Sequence, residues 1–151
     1  MNQPYDQKEE NGPELAGAGQ RLAAYLMDLV VLSIIYIALV FLLGLPAADS
    51  VMAGRSLPSD YPPIYLLMAA IGIGYYTYFF GMGQTPGMRL LEIKLVRADG
   101  VTPVGFSRGL LRWAGMEISG VVLFLGYLWI LIDKKKQGWH DKIARTYVVK
   151  E

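Results

Sequence analysis

The chain is 151 residues long, and 54% of its residues are hydrophobic while only 18% are charged. An ordinary soluble domain has about 45–50% apolar and about 25% charged residues. The 14 Lys and Arg residues nearly balance the 13 Asp and Glu residues, which argues against a nucleic-acid-binding protein. Cysteine is absent from the sequence, so disulfide scaffolds, thiolate metal sites and cysteine nucleophiles are excluded.

The hydrophobic residues are concentrated in three blocks, which are separated by polar stretches that contain Gly and Pro. Ahead of the first block, residues 1–19 contain two prolines, three glycines and five charged residues without any hydrophobic period. Such a segment buries too little apolar surface to offset the entropy lost on ordering. Residues 1–19 therefore predict a mobile N-terminal tail, and a membrane domain is expected over residues 20–150.

The first block, residues 22–44, is predicted to be a transmembrane helix. Its only charged residue is Asp28, and at about 1.5 Å per residue the block spans the roughly 30 Å hydrocarbon layer of a bilayer. The block exceeds the roughly 7–15 apolar residues of a signal peptide. We therefore interpret it as a permanent anchor.

The second block, residues 64–82, has no charged residue and has its tyrosines and phenylalanines crowded toward its C-terminal end. This distribution is typical of a spanning helix with an aromatic belt at one membrane interface. Ala70 and Gly74 are four residues apart, a spacing of small residues that lets another helix approach closely in lipid. We predict that this pair is a packing face.

The linker after the second block mixes charged residues, glycine and proline with apolar residues. Residues 83–87 read GQTPG, residues 89–96 alternate between apolar and charged side chains, and Asp99-Gly100 follows. Alternation that ends in Asp-Gly predicts a hairpin, whose second strand over residues 101–104 is short because it contains Pro103. Residues 146–149 are also rich in β-branched and aromatic side chains, so they are expected to add a third strand beside residues 89–96.

The third block, residues 106–132, lies between two basic stretches, and positively charged loops favour the cytoplasm. The loop between the first two blocks contains a single basic residue, Arg55, which places that loop outside and the N-terminus in the cytoplasm. A hairpin that enters the membrane and returns near residues 120–126 keeps both basic stretches inside. Three plain spans are the alternative, and they would separate the C-terminal strand from the linker strand.

The predicted fold class is therefore an all-α membrane protein with three hydrophobic helical segments and a small cytoplasmic β element. Two of these segments are full spans, and the third is either a re-entrant hairpin or a plain span. The lipid bilayer is the predicted partner of the apolar surface.

Asp28 is the residue that most needs an explanation, because a carboxylate inside a membrane costs about 2.5–3.5 kcal/mol. Arg21, Tyr25 and Asp28 lie on one helix face. Arg21 is two turns from Asp28, which is far for a direct ion pair, so its side chain is expected to extend toward the membrane interface. Asp28 is then a packing anchor or a site that alternates between a cation and a proton. Its candidate partners are Thr77, Tyr75, Tyr78, Arg112, Glu117, Asp133, His140 and Asp141.

The remaining polar motifs are weak indicators of chemistry. His140 is the only histidine and precedes Asp141, a pair that more often makes a structural hydrogen bond than a catalytic dyad. Lys134 to Lys136 are typical of a topology signal beside anionic lipid. Nucleophile-elbow, Walker, dinucleotide-binding and HExxH motifs are absent from the sequence, so we expect no enzyme, no cofactor and no metal site.

Several segments taken together resemble one family. Arg21 lies at the start of the first block with Asp28 inside it, the linker reads GQTPGMRLLEIKLVRADG, Arg108 and Arg112 precede the third block's apolar part, and the C-terminal stretch reads DKKKQGWHDKIARTYVV. In this order they resemble the RDD family of small bacterial membrane proteins, which is named for one arginine and two aspartates. The resemblance covers about residues 16–150.

The resemblance implies that Arg21 is the family's arginine, Asp28 its first aspartate and Asp141 its second, with Asp133 as the rival. It also implies a location in the bacterial cytoplasmic membrane. Transport of unidentified ligands has been suggested for the family, and cation/proton antiport is one version of that function.

Three functional hypotheses follow. The first is transport of an ion or small solute, with Asp28 in a polar network that includes Arg21, Arg112 and one of the C-terminal aspartates. The second is a membrane scaffold or assembly partner, and an enzyme acting on lipid is third. Because two or three short helices enclose little volume, transport would require a homo-oligomer that packs through faces such as Ala70 and Gly74.

Overall fold

Two long helices dominate the structure, a computed structural model that describes residues 13–42, 52–55 and 62–151. Helix α1 is Ala18–Leu42 and helix α2 is Pro62–Met82. Both are long and apolar enough to cross a membrane, which confirms the helices predicted over residues 22–44 and 64–82. The end of the first predicted helix, at residues 43 and 44, and most of the loop that follows lie outside the described residues.

Both long helices expose large apolar side chains over much of their surface. Leu22, Ile34 and Leu66 are each at least 60% exposed. A monomeric soluble protein rarely leaves such a continuous apolar surface in water.

A short helix interrupts the linker that follows α2. Helix α3 is Pro86–Leu90, and Thr85 caps it because the Thr85 Oγ1 accepts a hydrogen bond from the Met88 amide at 3.1 Å. Pro86 occupies the first helical position, where its missing N–H has no consequence. The strand expected to begin at residue 89 therefore begins only at Ile93.

Strand β1, Ile93–Arg97, pairs antiparallel with strand β2, Thr146–Lys150. The register places Ile93 opposite Lys150 and Arg97 opposite Thr146. The predicted pairing of the C-terminal strand with the linker is confirmed, whereas the predicted hairpin strand over residues 101–104 is wrong, because those residues form no strand.

The reason lies in the turn that follows β1. The Asp99 carboxylate accepts hydrogen bonds from the Val101 amide at 3.2 Å and from the Arg97 Nε at 2.8 Å. These bonds close the turn locally, and Pro103 has no N–H to donate to a ladder.

Residues just before α1 run along the other edge of β2. The Ala16 amide donates to the Val148 carbonyl at 2.9 Å, and the Lys150 amide donates to the Glu14 carbonyl at 2.7 Å. Residues 14–16 therefore belong to the packed part of the chain, and the domain boundary predicted near residue 20 falls inside that part. Residues 1–12 of the predicted mobile tail lie outside the described residues.

The third hydrophobic block is two helices rather than one. Helix α4, Phe106–Val121, and helix α5, Leu125–Ile132, meet at an angle of 100°. Leu123 and Phe124 make the bend with positive φ angles of 51° and 60°. The bend lies within residues 120–126, where the sequence predicts the return of a hairpin.

Helix α6, Trp139–Ala144, connects α5 to β2. It packs closely on α4, since a Cβ on Gly115 would lie 2.8 Å from the His140 Cα. Helix α4 in turn packs on α2, because a Cβ on Gly109 would lie 2.9 Å from the Gly81 amide nitrogen. Helix α4 therefore lies between α2 and α6.

Candidate functional site

A buried carboxylate, Asp141, lies at the centre of one polar cluster. It is 0% exposed, and its Oδ2 accepts hydrogen bonds from the Arg21 Nη1 at 2.7 Å and the Gly138 amide at 2.9 Å. Its Oδ1 accepts from the Arg112 Nη1. Two guanidinium groups from α1 and α4 therefore share one carboxylate from α6.

The two arginines extend this cluster to the sheet. The Arg21 Nε donates to the Ala16 carbonyl at 3.2 Å, and the Arg112 Nη1 donates to the Thr146 Oγ1 at 3.2 Å. The Arg112 guanidinium also lies 5.1 Å from the centre of the Phe80 ring, within the range of a cation–π interaction. Arg21 thereby connects α1 to the segment that precedes it, and Arg112 connects α4 to β2 and to α2.

The charges of this cluster do not cancel. Burial alone would raise the pKa of Asp141, but the charges of Arg112 and Arg21 hold that pKa well below its ordinary value. Burial lowers the pKa of His140 to about 4, although the neighbouring Asp141 charge partly opposes the shift. At neutral pH the cluster therefore consists of two cations, one anion and a neutral imidazole.

A second buried carboxylate, Asp28, forms a separate network in the middle of the helices. It is 2% exposed and accepts hydrogen bonds from the Tyr75 hydroxyl at 2.9 Å, the Thr85 Oγ1 at 2.6 Å and the Gly87 amide at 2.8 Å. All three partners donate to the carboxylate. Asp28 thus joins α1 to α2 and to the N-terminus of α3.

Gly87 is required for this arrangement. A Cβ at that position would collide with the Ala24 carbonyl oxygen of α1 and would lie 2.9 Å from the Asp28 Oδ1. Because a backbone carbonyl cannot move aside as a flexible side chain can, only glycine allows α3 to approach α1 this closely.

Of the predicted site residues, Arg21, Arg112 and Asp141 come together, and Asp28 lies in its own network. Asp133 is in neither group. It pairs with Lys142 and accepts hydrogen bonds from the amides of Lys135 and Gln137. Burial raises the pKa of Asp133, but these hydrogen bonds outweigh it and the net shift is downward.

The predicted packing residues Ala70 and Gly74 are both exposed. A Cβ on Gly74 would meet no atom within 4 Å among the described residues. The neighbouring Gly72 makes the close approach to α1 instead, since its Cβ would lie 2.8 Å from the Tyr36 hydroxyl.

Sequence reasoning did not identify several members of the two networks. Thr85 and Gly87 bind Asp28, Thr146 binds Arg112, and the Gln137 Nε2 donates to the Thr146 carbonyl at 2.9 Å. A threonine directly before a proline is a helix N-terminal signal, so Thr85 was identifiable as a cap in the sequence. We find no comparable local signal for Gln137 or Thr146.

A cavity of about 690 Å³ lies between the two networks. Its walls include Arg21 and Arg112 of the first network and Asp28 of the second. Three buried polar atoms on residues that line it have no hydrogen-bond partner among the described residues: the Tyr76 hydroxyl, the Arg112 Nε and the His140 Nδ1. Such orphaned groups are typical of sites that hold water or a ligand.

Comparison with known proteins identifies the family. A model of the RDD family matches residues 15–145. The chain belongs to the RDD family. The matched range includes the residues named above for both polar networks except Thr146.

Two relatives illustrate how far this family resemblance extends. The "Uncharacterized protein YxaI" of Bacillus subtilis is 31% identical over 147 residues, which are 89% of this chain and 96% of that protein. The "Proline-rich antigen homolog" of Mycobacterium tuberculosis is 30% identical over 88 residues, which are 55% of this chain and 37% of that protein. No solved structure matches this chain.

Proposed function

We propose that this RDD family member is a small multi-pass protein of the bacterial cytoplasmic membrane that transports an ion or small solute in exchange for protons. The observation that supports this function is the cavity of about 690 Å³ that reaches both Asp28 and the arginine pair. A cavity bounded by a buried carboxylate is the arrangement that a cation or a proton can enter.

Asp28 is the exchanging group in this proposal. Asp141 has its charge compensated by two bonded guanidinium groups. Asp28, in contrast, has only neutral hydrogen-bond donors, namely two hydroxyl groups and one backbone amide. Among the described residues no cation bonds to Asp28, so its charge is available to a cation that enters the cavity.

The helices and the sheet support one membrane arrangement. In our proposal α1 and α2 cross the bilayer, whereas α4 and α5 enter and return on the same side. Strand β1 precedes α4, strand β2 follows α5, and the two strands pair. Both strands must therefore lie on one side of the membrane, and the basic residues around them favour the cytoplasm. The N-terminus lies on that side as well.

A flux assay on reconstituted vesicles tests the proposal. We expect Asp28→Asn to abolish proton-coupled cation flux, because the amide cannot exchange a proton for a cation. Asp133→Asn is the matched control, since it also changes a carboxylate to an amide but lies in neither network. Flux that persists in Asp28→Asn, at wild-type abundance, contradicts the proposal.

A scaffold or assembly function is the second candidate, and one observation favours it. The three hydrogen bonds of Asp28 join α1, α2 and α3, as a purely structural anchor would. A scaffold predicts that Asp28→Asn and Tyr75→Phe both lower abundance or recovery of a partner protein, and that neither changes any flux. Transport predicts that Asp28→Asn loses flux even at wild-type abundance.

A further inference from the structure

The cavity is much larger than an inorganic ion requires. Its volume of about 690 Å³ lies within the range of about 300–1,000 Å³ that is typical of sites for small organic molecules. Inorganic cations such as Ca²⁺ need about six or more oxygen ligands at short distances. Among the residues that the structure describes, no group of three or more His, Asp or Glu side chains is placed to hold a metal ion.

Aromatic rings form much of the cavity wall. The rings of Tyr25 and Tyr76 stack with centroids 6.2 Å apart, and those of Tyr76 and Phe80 stack at 5.3 Å. Tyr127 of α5 lines the cavity with them. The Arg112 guanidinium already rests over the Phe80 ring, so this aromatic wall accommodates positive charge within the protein itself.

Glu117 brings a third carboxylate to the same cavity. It lies on α4, it is exposed, and it lines the cavity with Tyr25 and Tyr127. Its side chain makes no hydrogen bond and no ion pair with the described part of the chain. A carboxylate in an apolar segment needs a compensating charge, and none of the described residues bonds to this one to provide it.

The charges that surround the cavity sum to a negative value. Asp28, Glu117 and the Asp141 that binds both arginines are three anions, while Arg21 and Arg112 are two cations. His140 adds no positive charge at neutral pH because its pKa is about 4. A monovalent cation would balance the set.

The cavity opens toward the apolar surface of the protein. Val121, Phe124 and Leu131 line it and are each at least 64% exposed. A molecule that enters past these side chains must itself be largely apolar, because they face the lipid in the proposed membrane arrangement.

We propose that the cavity binds a hydrophobic organic cation, with Glu117 as its counter-ion and the rings of Tyr25, Tyr76 and Tyr127 as its walls. This inference rests on the proposed function, because it names the class of solute that would be exchanged for protons. Aromatic rings and a carboxylate together are how proteins recognise large organic cations. Their weakly hydrated charge makes the transfer from lipid easier than it is for Na⁺ or K⁺.

Binding of rhodamine 6G, a fluorescent hydrophobic cation, to the full chain in detergent tests the inference. We expect saturable binding that Glu117→Gln weakens roughly tenfold, since one compensating charge is lost. Glu92→Gln is the matched control, because Glu92 is an exposed carboxylate that does not line the cavity. Tyr25→Phe keeps the ring and Tyr25→Ala removes it, so Tyr25→Ala should bind the dye more weakly than Tyr25→Phe does. Elution of each variant as a single species shows that it is folded.

Two results would overturn the inference. One is equal affinity of Glu117→Gln and wild type for rhodamine 6G. The other is saturable binding of the hydrophobic anion 8-anilinonaphthalene-1-sulfonate in place of the cation, which would assign the cavity to an anionic ligand of Arg112.

The two proposals fail in different ways. Proton-coupled Na⁺ flux through Asp28 without any binding of rhodamine 6G overturns the organic cation and leaves transport intact. Saturable rhodamine 6G binding without any proton-coupled flux supports the site and overturns transport.

Discussion

Arg21 and Asp141 form an ion pair of 2.7 Å although they are 120 positions apart in the sequence. The side chains are only 7% and 0% exposed, so water cannot replace either partner. Because Arg112 binds the same carboxylate, Asp141 holds α1, α4 and α6 together.

Asp141→Asn is expected to destabilise the protein severely. The substitution leaves two buried guanidinium groups without their counter-charge, and breaking a buried pair in this way costs about 3–5 kcal/mol. We expect a large fall in the thermal midpoint in detergent and low abundance in membranes.

Asp133→Asn is the matched comparison, because Asp133 makes an ion pair with the half-exposed Lys142. Lys142 can turn into solvent when the charge of Asp133 is lost, so this variant should lose much less stability than Asp141→Asn. Equal losses in the two variants would contradict the central role assigned to Asp141.

The stability of the protein should fall as the pH drops from about 6.5 to about 4. Burial lowers the pKa of His140 to about 4 in the folded chain, while the unfolded chain has the ordinary value of about 6.5. Between these values the unfolded state binds a proton that the folded state does not. The contribution of His140 is therefore complete above about pH 6.5 and is lost as the pH falls through about 4, at a cost of about 3 kcal/mol.

Thermal midpoints measured in detergent across this range check the effect. His140→Gln removes the titrating group and should flatten the slope between pH 6.5 and 4. Below about pH 4 both proteins should lose stability further, because the unfolded chain protonates Asp141 at its ordinary pKa while the two arginines keep this carboxylate ionised in the folded chain. An unchanged slope in His140→Gln would show that another group titrates in this window.

Gly87→Ala is expected to disrupt the Asp28 network. The new Cβ would collide with the Ala24 carbonyl and crowd the Asp28 Oδ1, and overpacking of this kind costs about 1–3 kcal/mol. Gly120→Ala is the control, because a Cβ there would meet no atom within 4 Å among the described residues. The thermal midpoint should fall for the first variant and stay the same or rise for the second.

Reporter fusions should place both ends of the chain in the cytoplasm. The pairing of β1 with β2 requires the segments before α4 and after α5 to lie on the same side. A reporter that is active only in the cytoplasm, fused after Glu151, should therefore be active, as should one fused ahead of Met1. An active periplasmic reporter after Glu151 would establish three plain spans.

The helical architecture was predictable because it depends on composition. Two uncharged or nearly uncharged runs, each long enough for a bilayer, predict α1 and α2 without any knowledge of their neighbours. The bend near residues 120–126 followed from basic residues on both sides of the third block. The pairing of residues 146–149 with the linker followed from period-two alternation and β-branched side chains.

Contacts between distant residues were much harder to predict from the sequence. The sequence shows that Asp28 needs a partner. It does not identify Thr85 and Gly87 as those partners, because residues 83–90 are interpreted from the sequence as a loop and the start of a strand. The predicted strand over residues 101–104 failed for a similar reason. Residues 89–96 do alternate, but β1 forms its ladder with β2, and residues 101–104 add no strand to it.

The amino-acid sequence by itself determined that this chain places its hydrophobic segments in an apolar environment and that one carboxylate lies inside the first of them. These properties follow from the free energy of transferring each side chain from water, which is nearly independent of the fold. Only the tertiary structure decided that Arg21 and Arg112 meet at Asp141, that Asp28 faces hydroxyl groups, and that a cavity lies between the two networks. Those outcomes depend on which distant segments come within hydrogen-bond distance, and a bond of about 3 Å between residues 120 positions apart has no local signature.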